Sequence, residues 1–231
     1  MKILFFTLSN IGDVILTLPA LDALRQNIPD AKITVLSGPR AKEIFQDNPY
    51  IENLIVYDKR AALGKQLNLL RRLNSEKFDL VVDLRNTFLP VLLPARYKTS
   101  PFLNIPKSIR HTKDRHLFIV NALLAKMKIA KNAGKQETTL FVGPQDKIYI
   151  KNILEQNNIN FAYKVIVVSA GARSHIKRWP KERFCELLDF LAQSYRLKII
   201  LVGDKDDVKI AEYIKEHCSS PVLYLTRKTT L

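Results

Sequence analysis

Asp13 is the first residue whose type and position indicate chemistry. It follows a short apolar run at the N-terminus and the small or polar residues Ser9, Asn10 and Gly12. A carboxylate placed at the end of a buried strand can take a proton from a substrate hydroxyl. The alternative is structural: Ser9 or Asn10 caps the next helix, and the charge of Asp13 stabilises its first turn. Gly12 would let a backbone or a ligand approach closely.

A second group of residues suited to chemistry lies within residues 169–180. A short apolar run ends there in a turn of small residues, and a basic loop follows. Small residues let backbone N–H groups approach phosphate oxygens, and cations neutralise phosphate charge. The alternative is a solvated basic loop in which Trp179 anchors the packing. The candidate phosphate-binding residues are Ser169, Gly171, Ala172, Arg173 and Lys177.

Carboxylates follow the next apolar run, at Asp204, Asp206 and Asp207. Acidic residues after strand ends can accept hydrogen bonds from ribose hydroxyls. Capping of the next helix by Asp204 is an equally good explanation for one of them. The histidines and cysteines lack the spacing of metal ligands, so we expect no metal site. The chain also has no Walker loop and no G-x-G-x-x-G element.

Short β-branched runs alternate with segments of helical period and predict the elements that position these residues. The first strands are predicted at residues 3–8, 33–36, 54–57 and 80–84. A helical pattern covers residues 11–28, in which Pro19 should kink or restart the helix. Strands separated by helices are typical of a parallel sheet covered on both faces. Further helices are predicted at residues 63–73 and 116–127.

A second alternating pattern begins near Gly143 and Pro144. It predicts helices at residues 147–156, 182–191 and 208–217, and strands at residues 165–169, 198–202 and 222–225. We therefore expect an α/β protein of two Rossmann-like doubly wound domains, residues 1–143 and 144–231. Ligands of such folds bind at the carboxyl ends of the strands. Three strands are few for an open doubly wound sheet, so we expect the second domain to be incomplete.

The chain has a formal net charge of +15, which predicts anionic partners. Residues 96–135 hold ten basic residues and one acidic residue. No nucleic-acid-binding module accompanies this charge, so we expect a phosphorylated acceptor or an anionic membrane surface instead of nucleic acid. The two cysteines favour a reducing compartment, and no signal peptide or spanning segment is evident. We expect a cytoplasmic protein.

Four segments together resemble glycosyltransferase family 9, the ADP-heptose:lipopolysaccharide heptosyltransferases. They are L-S-N-I-G-D-V-I-L-T-L-P-A-L at residues 8–21, F-D-L-V-V-D-L at residues 78–84, S-A-G-A at residues 169–172 and K-R-W-P-K-E-R-F at residues 177–184. The resemblance covers nearly the whole chain. It implies a GT-B fold, in which the first domain binds the acceptor and the second binds the sugar nucleotide.

The resemblance also implies roles for residues. Asp13 would be the general base of an inverting transfer of heptose, or a related sugar, to the lipopolysaccharide inner core. Lys177 would contact the donor phosphates, and Asp206 or Asp207 would hold the ribose. No cofactor is expected beyond the donor substrate, ADP-heptose. We expect Gly12, Ser169, Gly171, Ala172 and Arg173 to contact this donor as well. The expected acceptor contacts are Ser9, Asn10, Lys59, Arg60, Arg110 and Lys113.

Family members continue into an N-D-S-G-x-x-H-type element that wraps the donor, and this sequence stops before it. We expect either a fragment of a longer product or a truncated remnant. The alternative function is therefore a non-catalytic remnant or binding module, which docks phosphorylated glycolipid or anionic membrane through its basic face. A nucleotide-sugar epimerase of the same fold is a third, weaker alternative. The expected location is the inner face of the cytoplasmic membrane.

Overall fold

The computed structural model describes residues 1–58, 60–129, 140–160, 164–172, 174–195 and 197–229. Lys59 and Arg173, two predicted site residues, lie outside these ranges. The chain divides into two compact units, Met1–Gly143 and Pro144–Leu231. Among the described residues, no helix combines the length and the apolar character that crossing a bilayer requires.

The first unit contains a parallel sheet of five described strands in the order β3-β2-β1-β4-β5. The first four confirm the sequence prediction to within two residues at each end. The last was not predicted, because a strand of two residues among four prolines carries no period that a sequence can show. The strands are β1 (Lys2–Phe6), β2 (Lys32–Ser37), β3 (Asn53–Val56), β4 (Leu80–Asp83) and β5 (Tyr97–Lys98).

Five α-helices accompany these strands in the described part of the unit. The predicted break near Pro19 is confirmed: one short helix ends at Ile15, and the next begins at Leu18 with Pro19 in its first turn. Proline lacks a backbone N–H, but no helical hydrogen bond is lost there, because N–H groups of the first turn have no partner within the helix. The helices are α1 (Ile11–Ile15), α2 (Leu18–Asn27), α3 (Leu63–Ser75), α4 (Leu89–Leu92) and α5 (Thr112–Lys126).

Alternation along β1 separates the core of this unit into two layers. Ile3 and Phe5 face the layer that includes α2 and α5, whereas Leu4 and Phe6 face the layer that includes α3. All four side chains are almost fully buried. The sheet is thus covered on both faces, as the pattern of strands and helices predicted.

The second unit contains a parallel sheet of three described strands in the order β6-β7-β8. Leu188, Leu201 and Ile214 are the most buried side chains of its core. All three strands and three helices confirm the predicted elements; that the domain is incomplete stays a prediction. The elements are α6 (Pro144–Gln156), β6 (Lys164–Ser169), α7 (Lys181–Ser194), β7 (Leu197–Val202), α8 (Val208–His217) and β8 (Val222–Tyr224).

Candidate active site

The carboxyl ends of β1 and β4 meet where the strand order of the first unit reverses. The chain runs outward from β1 through β2 to β3, and then returns to the other side of β1 as β4. The helices that follow these two strands diverge to opposite faces, which leaves a crevice at the strand ends where ligands of open α/β sheets bind. The loop with Ser9 and Asn10 and the first turn of α1 with Asp13 directly follow β1, so they lie at this edge.

Asp13 stands in the first turn of α1 with an exposed side chain. The side-chain amide of Asn10 donates a hydrogen bond of 2.9 Å to its Oδ2. Asn10 is the N-cap residue, but its side chain makes no capping bond, so the predicted capping by Ser9 or Asn10 is wrong. The amide orients the carboxylate instead, because Asn10 and Asp13 are one helical turn apart.

Two buried threonines fix the position of α1. Thr17 Oγ1 donates to the carbonyl of Val14 at 2.7 Å, and the hydroxyls of Thr7 and Thr17 lie 2.8 Å apart. Because the Thr17 proton is already used, Thr7 must be the donor between them. Both threonines are completely buried. This bridge ties the segment after β1 to the break between α1 and α2, and so determines where Asp13 lies.

Gly38 allows the loop after β1 to sit close to the end of β2. A Cβ atom on Gly38 would lie 2.5 Å from Ser9 Cβ and 2.7 Å from Ser9 Cα, distances too short for real contacts. Gly12 behaves differently, since a Cβ there would have no protein atom within 4 Å. The predicted close approach of protein backbone at Gly12 is therefore wrong, and the space above it is open to a ligand.

A cavity of about 370 Å³ with a mixed polar and apolar lining opens beside the ends of β4 and β5. His116, on the buried face of α5, lines it and is 6% exposed. Neither ring nitrogen has a hydrogen-bond partner among the described residues. An imidazole buried without partners is costly, and a polar ligand in the cavity would satisfy it. The other polar lining residues are Asp83, Asn86, Thr99, Ser100, Asn104, Thr112 and Arg115, and the apolar ones are Leu84, Pro101, Leu103, Ile105 and Ile119.

Burial is the main cause that lowers the pKa of His116 below its usual value. The cation of Arg115 lowers this pKa further, whereas the carboxylate of Asp13 opposes both. The net direction keeps the imidazole neutral near pH 7, so it can donate from one nitrogen and accept at the other.

Asp83 organises the loop after β4. Its carboxylate accepts hydrogen bonds from the backbone N–H groups of Arg85 (2.8 Å) and Thr87 (2.8 Å), and from the Thr87 hydroxyl. Its own backbone N–H donates to Thr99 Oγ1 at 3.0 Å, which links β4 to the segment after β5. Asp83 is 4% exposed, and these bonds compensate the burial of its charge.

The predicted acceptor residues fall into two places. Arg110 and Lys113 line an open cavity of about 470 Å³ together with Leu16, the residue directly after α1. They are therefore near the helix that carries Asp13. Arg60 follows β3 at the far side of the sheet and lines neither this cavity nor the one with His116. Its backbone N–H donates to Asp58 Oδ1 at 2.9 Å.

In the second unit, Asp207 joins the loops that follow β6 and β7. Its Oδ2 accepts a hydrogen bond of 3.1 Å from the backbone N–H of Asp204. A Cβ on Gly171 would overlap its carboxylate, so glycine is required for this approach. Asp207, not Asp204, is the N-cap residue of α8. Asp204 Oδ1 instead accepts a 2.7 Å hydrogen bond from the backbone N–H of Asp206, an exposed residue.

The basic loop after β6 is ordered by two contacts. Arg178 Nε donates to the carbonyl of Ala172 at 2.7 Å, and the rings of Trp179 and Phe184 pack edge to face at 4.9 Å. Trp179 thus packs on Phe184, although 45% of its surface stays exposed. Lys177 ends a single 3-10 turn and is exposed, with no ion pair to any described residue. Its cation is thus available to a ligand near Ser169, Gly171 and Ala172.

Comparison with known proteins decides the family. A sequence profile of glycosyltransferase family 9 (heptosyltransferase) matches residues 66–231, which is more than half of the chain. The chain belongs to glycosyltransferase family 9. The resemblance indicated by the G-D and K-R-W-P elements is confirmed, and this family 9 protein is a glycosyltransferase.

Two sequence relatives bear related names. Lipopolysaccharide heptosyltransferase 3 of Escherichia coli is 28% identical over 238 residues, which cover 95% of this chain and 69% of the relative. The lipopolysaccharide core heptosyltransferase OpsX of Haemophilus influenzae is 21% identical, with coverage of 97% and 67%.

Two solved structures share the fold. One is a family 9 glycosyltransferase from Veillonella parvula, with a TM-score of 0.81, 22% identity and coverage of 99% of this chain and 69% of that one. The other is E. coli heptosyltransferase WaaC with ADP-2-deoxy-2-fluoro heptose, with a TM-score of 0.73, 20% identity and coverage of 97% and 76%. Identities this low establish the fold alone, and they confirm the α/β architecture with parallel sheets.

Sequence reasoning missed several residues of this site. His116 shares one face of α5 with Val120, Leu123 and Leu124, and a polar residue at an apolar position is the signal that could have found it. The bridge between Thr7 and Thr17 carried no such signal, because two hydroxyls ten residues apart meet only after α1 has formed. Among the described residues, no group of three metal-ligating side chains is present.

Proposed function

We propose that this enzyme transfers a heptose, or a related sugar, from ADP-heptose to the phosphorylated inner core of lipopolysaccharide, with inversion at the anomeric carbon. The observation that carries the proposal is Asp13, a carboxylate that Asn10 orients in the first turn of α1, at the carboxyl ends of the parallel strands. The names of the family 9 relatives supply the sugar and the acceptor class. WaaC was solved with ADP-2-deoxy-2-fluoro heptose, an analogue of ADP-heptose, which supports the donor.

The reaction follows from the chemistry of the two substrates. Asp13 accepts the proton of an acceptor hydroxyl, and the hydroxyl oxygen forms a bond to the anomeric carbon. The bond from that carbon to the donor phosphate oxygen breaks, and ADP leaves from the opposite face. One displacement inverts the configuration and needs no covalent enzyme intermediate. The Asn10 amide keeps the carboxylate in one orientation, which reduces the entropy lost on reaching the transition state.

We assign the donor diphosphate to the second unit. The small-residue turn of Ser169, Gly171 and Ala172 offers backbone N–H groups to the diphosphate, and Lys177 and Arg173 add positive charge that stabilises the leaving group. Asp206 is exposed and fits the ribose better than Asp207, whose carboxylate is occupied by the loop after β7. Neither a cofactor nor a metal enters this proposal.

We assign the transferred sugar and the acceptor to the first unit. Gly12 leaves room for the sugar, since no protein atom occupies the space where its Cβ would stand. Ser9 and Asn10 lie on the loop that leads to Asp13. The cations of this set are Arg110 and Lys113, which line the cavity next to α1. Lys59 and Arg60 are proposed to contact further phosphates of the acceptor.

We add His116 to the acceptor residues, because a neutral imidazole with two free nitrogens is suited to sugar hydroxyls. Thr112 lines both the cavity that holds His116 and the cavity next to α1, so hydroxyls bound at His116 would lie near the helix that carries Asp13. The GT-B arrangement of the two units and a location at the inner face of the cytoplasmic membrane belong to the same proposal.

The alternative of a non-catalytic binding module is not favoured, since the family and the named relatives are transferases. A transfer assay separates the alternatives. The chain is incubated with ADP-heptose, with and without a lipopolysaccharide core that lacks heptose. We expect ADP release and a heptosylated product that both require the acceptor. Conversion of the nucleotide sugar without acceptor would indicate an epimerase, and absence of any conversion would contradict the proposal.

A further inference from the structure

Five large apolar side chains are exposed on α3 and α4, on the same side of the sheet of the first unit. On α3, Leu63 is 79% exposed and Leu67 is 56% exposed, although they share the helical spacing of buried Leu73. Phe88, Val91 and Leu92 on or next to α4 are between 58% and 67% exposed. An exposed apolar patch of this size marks a surface that meets another molecule or a membrane. We call these five residues the α3–α4 surface.

A groove of about 330 Å³ runs through the α3–α4 surface. Leu63, Leu67, Phe88 and Leu92 form its rim. Its lining is mainly apolar and includes residues of β1 and β2 as well as of α3, among them Phe6, Leu36, Leu70 and Leu73. The groove is wide enough to admit part of an acyl chain or a large side chain.

Arg85 contributes the positive charge of this groove. Its guanidinium carbon lies 4.9 Å from the centroid of the Phe6 ring and 5.5 Å from that of Tyr57. Its Nη1 is buried and has no hydrogen-bond partner among the described residues. A guanidinium N–H without a partner is costly, and a phosphate or carboxylate oxygen would satisfy it. An apolar groove with an unsatisfied cation fits an amphipathic anion.

Cations outnumber carboxylates around the surface. Residues 60–98, which include α3 and α4, hold eight arginines and lysines and three acidic residues. All three carboxylates are already engaged: Glu76 lies 3.8 Å from Lys2 Nζ, Asp79 accepts a hydrogen bond from the Lys2 backbone N–H, and Asp83 is buried and accepts three hydrogen bonds. Apolar side chains surrounded by cations are typical of surfaces that bind anionic bilayers, because lipid phosphates attract the cations while the apolar groups enter the interface.

We propose that the α3–α4 surface docks this enzyme onto an anionic lipid bilayer. Leu63, Leu67, Phe88 and Leu92 enter the boundary between headgroups and acyl chains, and Arg85 pairs with a lipid phosphate at the groove. This proposal rests on the proposed function, because docking at a bilayer would bring the enzyme to an acceptor that is itself anchored in the bilayer by lipid. The docking itself needs no nucleotide sugar and can be measured without one.

Vesicle flotation without substrate tests the proposal. The chain is mixed with vesicles of phosphatidylcholine alone or with added phosphatidylglycerol. We expect binding to the phosphatidylglycerol vesicles that weakens as salt rises. Phe88→Ser should reduce it by about tenfold or more, given the apolar area withdrawn from the interface. The matched control is Phe190→Ser on α7, since Phe190 is exposed to a similar extent, 62%, and should bind like the parent chain.

Three results would overturn the docking proposal: equal binding to both vesicle types or to neither, equal loss in the two phenylalanine variants, or a dimer in solution that Phe88→Ser dissociates. A transfer assay keeps this proposal separate from the proposed function. Phe88→Ser should retain turnover with a deacylated, soluble core acceptor and lose turnover with the acceptor embedded in vesicles. If neither the parent chain nor Phe88→Ser transfers sugar to the soluble acceptor, while the parent chain still binds the vesicles, only the proposed transferase function is contradicted.

Discussion

The side chain of Asn10 stands at the N-cap of α1, yet it donates to Asp13 and not to the helix backbone. This exchange has a cost, because a missing capping bond destabilises a helix by about 1 kcal/mol. In return, the carboxylate is held in one orientation at the strand ends. Such a local departure from the rule for helix caps is expected at functional sites, where geometry takes precedence over stability.

Gly12 gives a direct test of ligand approach. Gly12→Ala introduces a Cβ that meets no protein atom within 4 Å, so the variant should fold with unchanged or slightly raised thermal stability. We expect kcat/KM for transfer to fall by about tenfold or more, because the donor sugar needs this space. Gly64→Ala, in an equally open site on α3, is the control and should keep full activity. Full activity in Gly12→Ala would contradict ligand approach at Gly12.

His116 predicts a pH dependence of stability. Its pKa is lowered in the folded protein, chiefly by burial, so the unfolded chain binds the proton first as the pH falls. The free energy of unfolding should therefore decrease as the pH drops below about 6.5, by at most about 1.4 kcal/mol per pH unit from this group. Urea unfolding at several pH values measures it. His116→Gln should reduce the slope, and an unchanged slope would show that His116 titrates normally.

At the scale of elements, the sequence predicted most strands and helices, because β-branched runs and the position of Pro19 are local signals. It did not predict very short strands, or apolar side chains that stay exposed despite a spacing typical of buried positions. β5 has only two residues, and the exposure of Leu63 and Leu67 depends on the groove beneath them and not on their spacing. The predicted cap of α8, Asp204, is wrong, and the N-cap is Asp207. The Asp204 side chain instead accepts a hydrogen bond from the backbone N–H of Asp206, which forms a turn before the helix begins.

The bridge between Thr7 and Thr17 links the elements that carry Asp13. Thr17→Val keeps the shape but leaves the buried Thr7 hydroxyl without a partner, so the free energy of unfolding should fall by about 1–3 kcal/mol. Thr7→Val combined with Thr17→Val should recover part of that loss, since no unsatisfied hydroxyl remains. Urea unfolding of both single variants and the double variant completes the cycle. Strictly additive losses would show that the two hydroxyls do not interact.

At the scale of the whole molecule, composition indicated an anionic partner but could not place it. The predicted basic stretch, residues 96–135, is described only to residue 129. Its residues Arg110 and Lys113 lie next to α1, whereas the cations near the exposed leucines lie on α3 and the loop after β4. The charge therefore serves two places: the acceptor cavity near Asp13 and the α3–α4 surface. The two groups of cations can be told apart only in the folded structure, because the members of each group are not adjacent in the sequence.

The roles proposed for the two units also depend on the family assignment. The profile match establishes a glycosyltransferase, and the sequence motifs had already indicated it. The residues that hold Asp13 in place, Asn10 and the two threonines, could not be assigned from motifs, since their contacts arise from the turn between α1 and α2. The position of Asp13 is thus a product of the fold as much as of the G-D element.

The turnover of Asp13→Asn tests the central claim most directly. The amide has the shape of the carboxylate and can still accept the Asn10 hydrogen bond, but it cannot accept a proton. We expect kcat for heptosyl transfer to fall by about 10²–10⁴-fold, with donor binding and thermal stability unchanged. The control is Asp30→Asn. Asp30 lies in an exposed turn before β2, at the amino ends of the strands, so this variant should transfer at the parent rate. Retention of full turnover in Asp13→Asn would contradict Asp13 as the general base.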